Sequence, residues 1–340
     1  MLSKPVLVAA FAALLLVAAC QPAGEADQEG AAPPEAETAE DASAGDPDDA
    51  SGDGAYTATD YPGTTITLDE PAERVVCLDG SCLDGLYAVG LEPDTALIYE
   101  MATHENFWGP DANIAQLAGA FFEPDVEEIV AAGADLVIGT SGVHADLVAA
   151  VEDVSPIYLH SLNDLDDARD FVRDVGALTG RSDEAEATIA AFDAKVDAYR
   201  NAISGDRIPL SMYGSDLDFG IDAADSIIGN TLAEVTDYPW PEAGEGGGGF
   251  LDFSVERILE VDPDTIFIQT MAFDPDTPPL SEQLAENELW SELSAVQSGD
   301  VYEVETSYWA AGRALRTQEL ILDETLPHLY PDEVPEPIDG

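Results

Sequence analysis

The stretch "VEEIVAAGADLVIG", Val126 to Gly139, and the stretch "VERILEVDPDTIFI", Val255 to Ile268, say nearly the same thing 129 residues apart. Val, Glu and Ile coincide at the first, second and fourth places, and Asp at the tenth. Each begins with helical spacing, passes a turn and ends in a β-branched, apolar run, which predicts a helix–turn–strand made twice. A fold built from two similar halves follows.

The surrounding segments fit that division. "RVVCL" (74–78), "TALIYE" (95–100), "DLVIG" (135–139) and "PIYLH" (156–160) read as strands, with helical patterns between them and a final amphipathic run closing on Gly180. Alternating strands and helices predict α/β layers with parallel central sheets. A long helix then starts at Ser182, a residue suited to capping it, with Asp183 and Glu184 in the first turn. Ala185, Ile189, Phe192, Val196, Tyr199 and Ile203 form one apolar stripe along it, and Gly205 ends it. After it the pattern restarts with "IPLSMYG" (208–214), and a last helix is expected from about Gly312 to Leu326. The fold class is therefore two similar α/β lobes joined by one long helix, with a ligand cleft between them. A single rigid link predicts lobes whose mutual angle changes little.

Charge and the first sixty residues bound the setting. There are 70 acidic residues against 11 basic ones, a formal charge of −59. Nucleic acid is excluded as a partner, because phosphate binding requires a basic patch. "MLSKPVLVAAFAALLLVAAC" has one Lys, an apolar run too short to span a bilayer, and small residues before Cys20. Residues 1–19 read as an export signal. "LVAAC" resembles the lipobox of bacterial lipoproteins, which implies a diacylated Cys20 and a protein tethered by lipid outside the membrane. From 21 to 60 there is no Lys, Arg, Val, Ile, Leu, Met, Phe or Trp, so residues 20–60 are expected to be an acidic, disordered leash. The expected organisation continues with an N-terminal lobe over 61–180, the linking helix over 181–205, a C-terminal lobe over 206–332 and a tail over 333–340. Cys77 and Cys82 could pair in an oxidising compartment or remain buried thiols.

Taken together, "ERVVCLDGSCLDGLYAVGLEP", "GAFFEPDVEEIVAAGADLVIG", "SVERILEVDPDTIFI" and "LWSELSAVQSGDVYEVETSYWAAG", in this order and with the long helix, resemble the helix-linked (class III) substrate-binding proteins of bacterial ABC importers. That group handles ferric siderophores, haem and cobalamin. The resemblance covers roughly residues 65 to 330. It implies a monomer that delivers its ligand to a permease dimer with its ATPase, performs no chemistry and carries no cofactor. In the family, one Glu on the outer face of each lobe meets Arg residues of the permease, and Glu127 and Glu256 occupy that place.

A ligand is expected between the lobes, at the carboxyl ends of the strands. Loops expected there hold Phe107, Trp108, Phe121, Phe122, Tyr213, Trp240, Phe273, Tyr308 and Trp309, with Trp108, Trp240 and Trp309 as the foremost candidates. Arg313 and Arg316 are the best-placed cations; Arg169, Arg173, Arg181 and Arg257 fall on or near helices. So few cations favour a neutral or cationic hydroxamate complex, or a mostly apolar ligand such as cobalamin, over a heavily anionic one. His104, His144, His160 and His328 are not at metal-ligand spacing, and each reads as a satisfied surface or core residue. Haem would need one axial ligand, for which His104 or Tyr213 would serve. The chain contains no nucleophile elbow, zinc-protease helix, P-loop or dinucleotide fingerprint. The expected ligand is an Fe(III)–siderophore complex, with cobalamin, haem, a bare metal or a sensor role as alternatives.

Overall fold

The computed structural model describes residues 56–215, 217–244, 249–271 and 277–338, all within the unit Asp53–Gly340. The signal segment, Cys20 and the leash as far as residue 55 lie outside the described residues. Two five-stranded sheets dominate, preceded by a hairpin of β1 (Tyr56–Thr59) and β2 (Thr65–Leu68). The hairpin takes up the last residues of the expected leash: Ala58 is buried and β1 packs on the Leu165–Thr179 helix.

The first sheet is formed by β3 (Val75–Cys77), β4 (Thr95–Ala96), β5 (Ala115–Gln116), β8 (Leu136–Thr140) and β9 (Ile157–His160). Between β5 and β8 lies a small hairpin of β6 (Gly119–Ala120) and β7 (Glu123–Pro124). The sheet order is β5-β4-β3-β8-β9 and every pair is parallel. Strand residues alternate between two apolar layers, as the pleat requires. Val75, Cys77, Leu136, Ile138 and Tyr158 face the main core, whereas Val76, Leu78, Val137, Ile157 and Leu159 face a smaller one with Ile129. The expected strand over 95–100 is only two residues long, and Tyr99–Ala102 turns into helix instead.

The second sheet contains β10 (Pro209–Ser215), β11 (Asp218–Asp222), β12 (Phe250–Asp252), β13 (Thr265–Thr270) and β14 (Val301–Glu303), in the order β12-β11-β10-β13-β14. Numbered within its own lobe, each sheet has the same order, 3-2-1-4-5. One difference corrects the expectation of wholly parallel sheets: β11 runs antiparallel to β10, and β12 antiparallel to β11. The connection from Ser215 to Asp218 is too short for a crossover, so only an antiparallel return fits.

The duplicated stretch supplies the same parts twice. Its helices are Val126–Ala132 and Val255–Val261, ended by Gly133 (φ 58°) and Asp262 (φ 55°), both left-handed. The shared Asp has the same task in each copy. Asp135 accepts from the main-chain N–H of Arg74 at 2.9 Å and pairs with its guanidinium at 2.8 Å, just before β3. Asp264 accepts from the N–H of Ile208 at 2.8 Å and pairs with Arg207 at 2.9 Å, just before β10. In both lobes this carboxylate fixes the start of the central strand.

The helix between the sheets runs over Ser182–Ala202, with Ala185, Ile189, Phe192, Val196 and Tyr199 buried as its stripe predicts. Its ends differ from expectation. Ser182 is already helical, Arg181 precedes it without a side-chain cap, and the helix stops three residues before Gly205. Lys195 also lies on the buried face, held by Glu319 (2.8 Å) and Asp323 (2.7 Å) of the Leu315–Leu329 helix. Burial works against its charge, but the two carboxylates outweigh it and hold the ammonium above its ordinary value. The tail is likewise engaged: Val334 is buried, and Glu333 accepts from the N–H and hydroxyl of Ser204.

Candidate crevice between the lobes

Segments that follow the strands of the two sheets touch. Gly80, three residues past β3, lies against the main chain of Ala311, beyond β14, so closely that a Cβ there would collide with the Ala311 carbonyl. Cys77, at the end of β3, is joined by a disulfide to Cys82 in the Gly80–Ala88 helix, with Cα atoms 5.4 Å apart. The same corner is fixed by Asp79. Its buried carboxylate caps that helix at Cys82 N (2.8 Å) and accepts from Thr140 Oγ1 (2.6 Å) and His160 Nε2 (2.9 Å). Burial raises its affinity for a proton, yet the His160 charge and these donors prevail and keep the carboxyl below its usual range.

On the N-terminal side, Phe121 and Phe122 stand edge to face at 5.0 Å, and Phe122 is 77% exposed. His144 holds this hairpin at the end of β8. Its Nδ1 accepts from Thr140 N (3.0 Å), which leaves Nε2–H to donate to the Phe121 carbonyl (2.9 Å). Both ring nitrogens are therefore used, and burial lowers the proton affinity of the ring.

The C-terminal side carries Tyr213, Leu217, Phe250 and Met271. Leu217 sits in the turn after β10 and Met271 follows β13; with Phe250 they are exposed large apolar side chains. The Phe250 ring packs edge-on to Tyr213 at 4.8 Å, and Arg313 lies 5.4 Å from the Phe250 centroid. Tyr213 folds over Gly220, occupying the space a side chain there would need. Burial raises its hydroxyl to about 12, so it stays a phenol. Of the six exposed large apolar residues among the described ones, only Tyr61 and Val154 lie away from these loops. Exposed apolar side chains on both lobes, at loops and a strand end, are candidates for covering by a ligand.

Two of the described cations, the guanidinium groups of Arg257 and Arg313, have neither a hydrogen bond nor an ion pair. Arg74, Arg169, Arg173, Lys195, Arg200, Arg207 and Arg316 are all ion-paired, and Arg181 reaches the Val89 carbonyl. Arg257 lies on the outer repeat helix, 4.0 Å from the Phe253 ring. Among the described residues the Arg313 guanidinium has no hydrogen bond and no ion pair. Desolvation lowers its hold on its proton, countered by the charge of Asp222.

Several expected ligand contacts belong elsewhere. Trp240 is a core residue, 3% exposed, its indole N–H donating to the Pro209 carbonyl at 2.8 Å between Tyr238 and Phe253. Trp309 is wholly buried, stacked on Phe267, with Nε1 donating to Glu324 at 2.7 Å. Tyr308, also buried, donates its hydroxyl to the same carboxylate and meets His104 edge-on. The short Thr306–Trp309 helix thus anchors the Leu315–Leu329 helix. Trp108 is half-buried in a cluster with Tyr87 and Phe107, where Arg316 covers Tyr87 and bonds the Asn106 carbonyl. It joins the lobes' packing, apart from Phe121 and Tyr213. Phe273 lies outside the described residues. The sequence reading did not single out Leu217, Phe250 or Met271; three apolar residues at loop edges carry no periodic signal.

Two α/β lobes of like topology, with exposed apolar side chains on both, fit the architecture of a solute-binding protein. Residues 75–308 match the family of periplasmic binding proteins, and the chain belongs to that family. It is 24% identical over 271 residues to the putative ABC transporter substrate-binding lipoprotein YhfQ of Bacillus subtilis (strain 168), covering 76% of this chain and 83% of YhfQ. It is 23% identical over 284 residues to the Fe(3+) dicitrate-binding periplasmic protein FecB of Escherichia coli (strain K12), covering 80% and 89%. The fold superposes on the triscatecholate siderophore-binding protein FeuA from Bacillus subtilis, solved with ferri-bacillibactin. The TM-score is 0.69 at 16% identity, over 82% of this chain and 99% of FeuA.

Proposed function

We propose that this protein captures a ferric siderophore or related iron complex in the crevice and delivers it to an ABC permease. The observation that carries the reading is the set of exposed apolar side chains Phe122, Leu217, Phe250 and Met271 on the two lobes, with Arg313, a guanidinium that has no hydrogen bond or ion pair, beside Phe250. A chelate shell offers apolar faces to the rim and an oxygen acceptor to the cation. YhfQ, named as a substrate-binding lipoprotein, and FecB, named for Fe(3+) dicitrate, support the same reading. The haem alternative is less well served. His104 accepts from Asn106 N through Nδ1 and packs on Tyr308, and Tyr213 is folded back over Gly220.

Thermal unfolding in high salt tests it against ferric hydroxamates, ferric catecholates, ferric citrate, haem and cobalamin. A true ligand at a hundred times its Kd stabilises the fold by about 2.7 kcal/mol. The expected outcome is such a shift with one class of ferric complex, weakened about tenfold or more in affinity by Arg313→Gln where the complex is anionic. No shift with any ferric complex would sink the reading.

We further propose a lipid-anchored location outside the cell membrane through Cys20. Cys20→Ser is then expected to move the protein from the membrane fraction of the expressing cells to the soluble exported fraction. Retention with the membrane would count against the anchor.

A further inference from the structure

One face of the C-terminal sheet carries a polar row that the iron-complex reading leaves unused. Ser211 on β10, Asp222 on β11 and Gln269 on β13 are all buried. One carboxylate oxygen of Asp222 accepts from Ser211 Oγ at 2.6 Å and from Gln269 Nε2 at 3.0 Å. The other, Oδ1, is buried with no partner among the described residues. A buried carboxylate ordinarily fills its acceptor sites or stands by a positive charge.

The register shows which charge that is. Asp222 lies directly opposite Phe250 in the β11–β12 pair, so the two side chains share a face of the sheet. Arg313 covers the Phe250 ring on that face. The unpartnered cation and the half-satisfied carboxylate therefore flank the same aromatic ring without forming an ion pair. Burial pushes the Asp222 carboxyl up and the Arg313 charge pulls it back towards ionisation; among the described residues each is the one opposite charge acting on the other.

We infer that Asp222 is a specificity-determining residue: its buried negative charge offsets that of Arg313, so the crevice favours ferric complexes that are neutral, cationic or singly anionic and rejects polyanionic ones. The inference rests on the iron-complex reading above. Physically, Arg313 can satisfy one acceptor group at short range, where geometry decides. At longer range a second or third ligand charge meets a site of near-zero net charge inside a strongly acidic protein. Discrimination then comes from a built-in repulsive element as much as from attraction.

The test compares two ferric complexes of opposite charge on the purified protein, in high salt, by calorimetric titration: ferric dicitrate, and a linear ferric trihydroxamate ending in an ammonium group. The unsubstituted protein is expected to prefer the trihydroxamate by about tenfold or more. Asp222→Asn should move that ratio about tenfold towards dicitrate. Arg313→Gln removes the cation of the site and should move it the other way, lowering the affinity for dicitrate more than that for the trihydroxamate. This second variant reads the same field without altering the buried row, should Asp222→Asn fold poorly. A ratio unmoved by Asp222→Asn, with both complexes still bound, overturns the role of Asp222 alone. Binding of neither complex by the unsubstituted protein overturns the iron-complex reading and this inference with it.

Discussion

Replacing Asp84 with Ala is expected to cost the protein about 3 kcal/mol or more of unfolding free energy, seen as a lowered urea midpoint. Asp84 lies in the Gly80–Ala88 helix of the first lobe and is wholly buried. Its carboxylate accepts from the main-chain N–H of Ala314 (2.9 Å), Arg316 (2.9 Å) and Thr317 (3.1 Å), across 230 positions of sequence in the first case. These are the donors at the start of the Leu315–Leu329 helix, whose own N-cap position, Ala314, has no side chain to offer. One lobe thereby caps a helix of the other. Truncation would leave three buried donors without acceptors, a larger loss than that of an ordinary cap.

The pH dependence of that loss has a definite sign. Burial lifts the Asp84 carboxyl from the ordinary carboxylate range to about 6, against the pull of Thr317 and the main-chain donors. The folded state therefore holds this proton more tightly than the unfolded chain does. Stability from Asp84 is fully present below about pH 4 and is lost as pH rises through about 6, an amount of about 3 kcal/mol. The stability difference between the unsubstituted protein and Asp84→Ala should be larger at pH 5 than at pH 7.5. Taking the difference cancels the many other acids, which titrate alike in both. A difference that is flat with pH would show that the carboxyl keeps an ordinary pKa in the fold. The same cap bears on motion. Together with Lys195 between Glu319 and Asp323, it ties the linking helix, the first lobe and the last helix into one layer, so only small closure around a ligand is expected. Small-angle scattering should show a more expanded Asp84→Ala protein.

The architecture is legible in the chain because the repeat is written in residues with local tasks. Val126, Ile129, Val255 and Ile258 set the apolar side of each helix, and Asp135 and Asp264 start each central strand. The site is less legible, for reasons of tertiary structure. Trp309 follows a strand and reads as a loop residue, but four residues of helix turn it onto Phe267. Its indole partner, Glu324, comes 15 positions later. Trp240 finds its acceptor 31 positions back, at Pro209. Asp84 looks like one more acid among 70, because its donors belong to a helix at the far end of the chain. Arg313 is legible as a cation near the cleft. Its lack of a hydrogen bond or ion pair shows only once the other basic side chains among the described residues have been placed.

Reversing both Glu127 and Glu256 to Arg is expected to reduce ligand uptake by living cells about a hundredfold, while binding by the purified protein stays within about twofold. Each Glu is the second residue of its copy of the repeated helix, each is exposed, and neither carboxylate makes a hydrogen bond or ion pair among the described residues. Their neighbours are engaged: Glu128 accepts from Ala118 N at 2.8 Å, and Arg257 rests on Phe253. A Glu in the first turn is favoured by the helix dipole, which would explain either residue alone. It does not explain why the same residue recurs at the matching place of the repeat in both lobes. Two exposed carboxylates on matching elements of two like lobes fit a partner that is itself a dimer, with one contact fixing position and the second fixing orientation. Single reversals should each leave an intermediate rate, because one contact still steers the encounter. Unchanged uptake in the double variant, with normal export and folding, would remove these residues from the docking surface and leave the helix dipole as their only explanation.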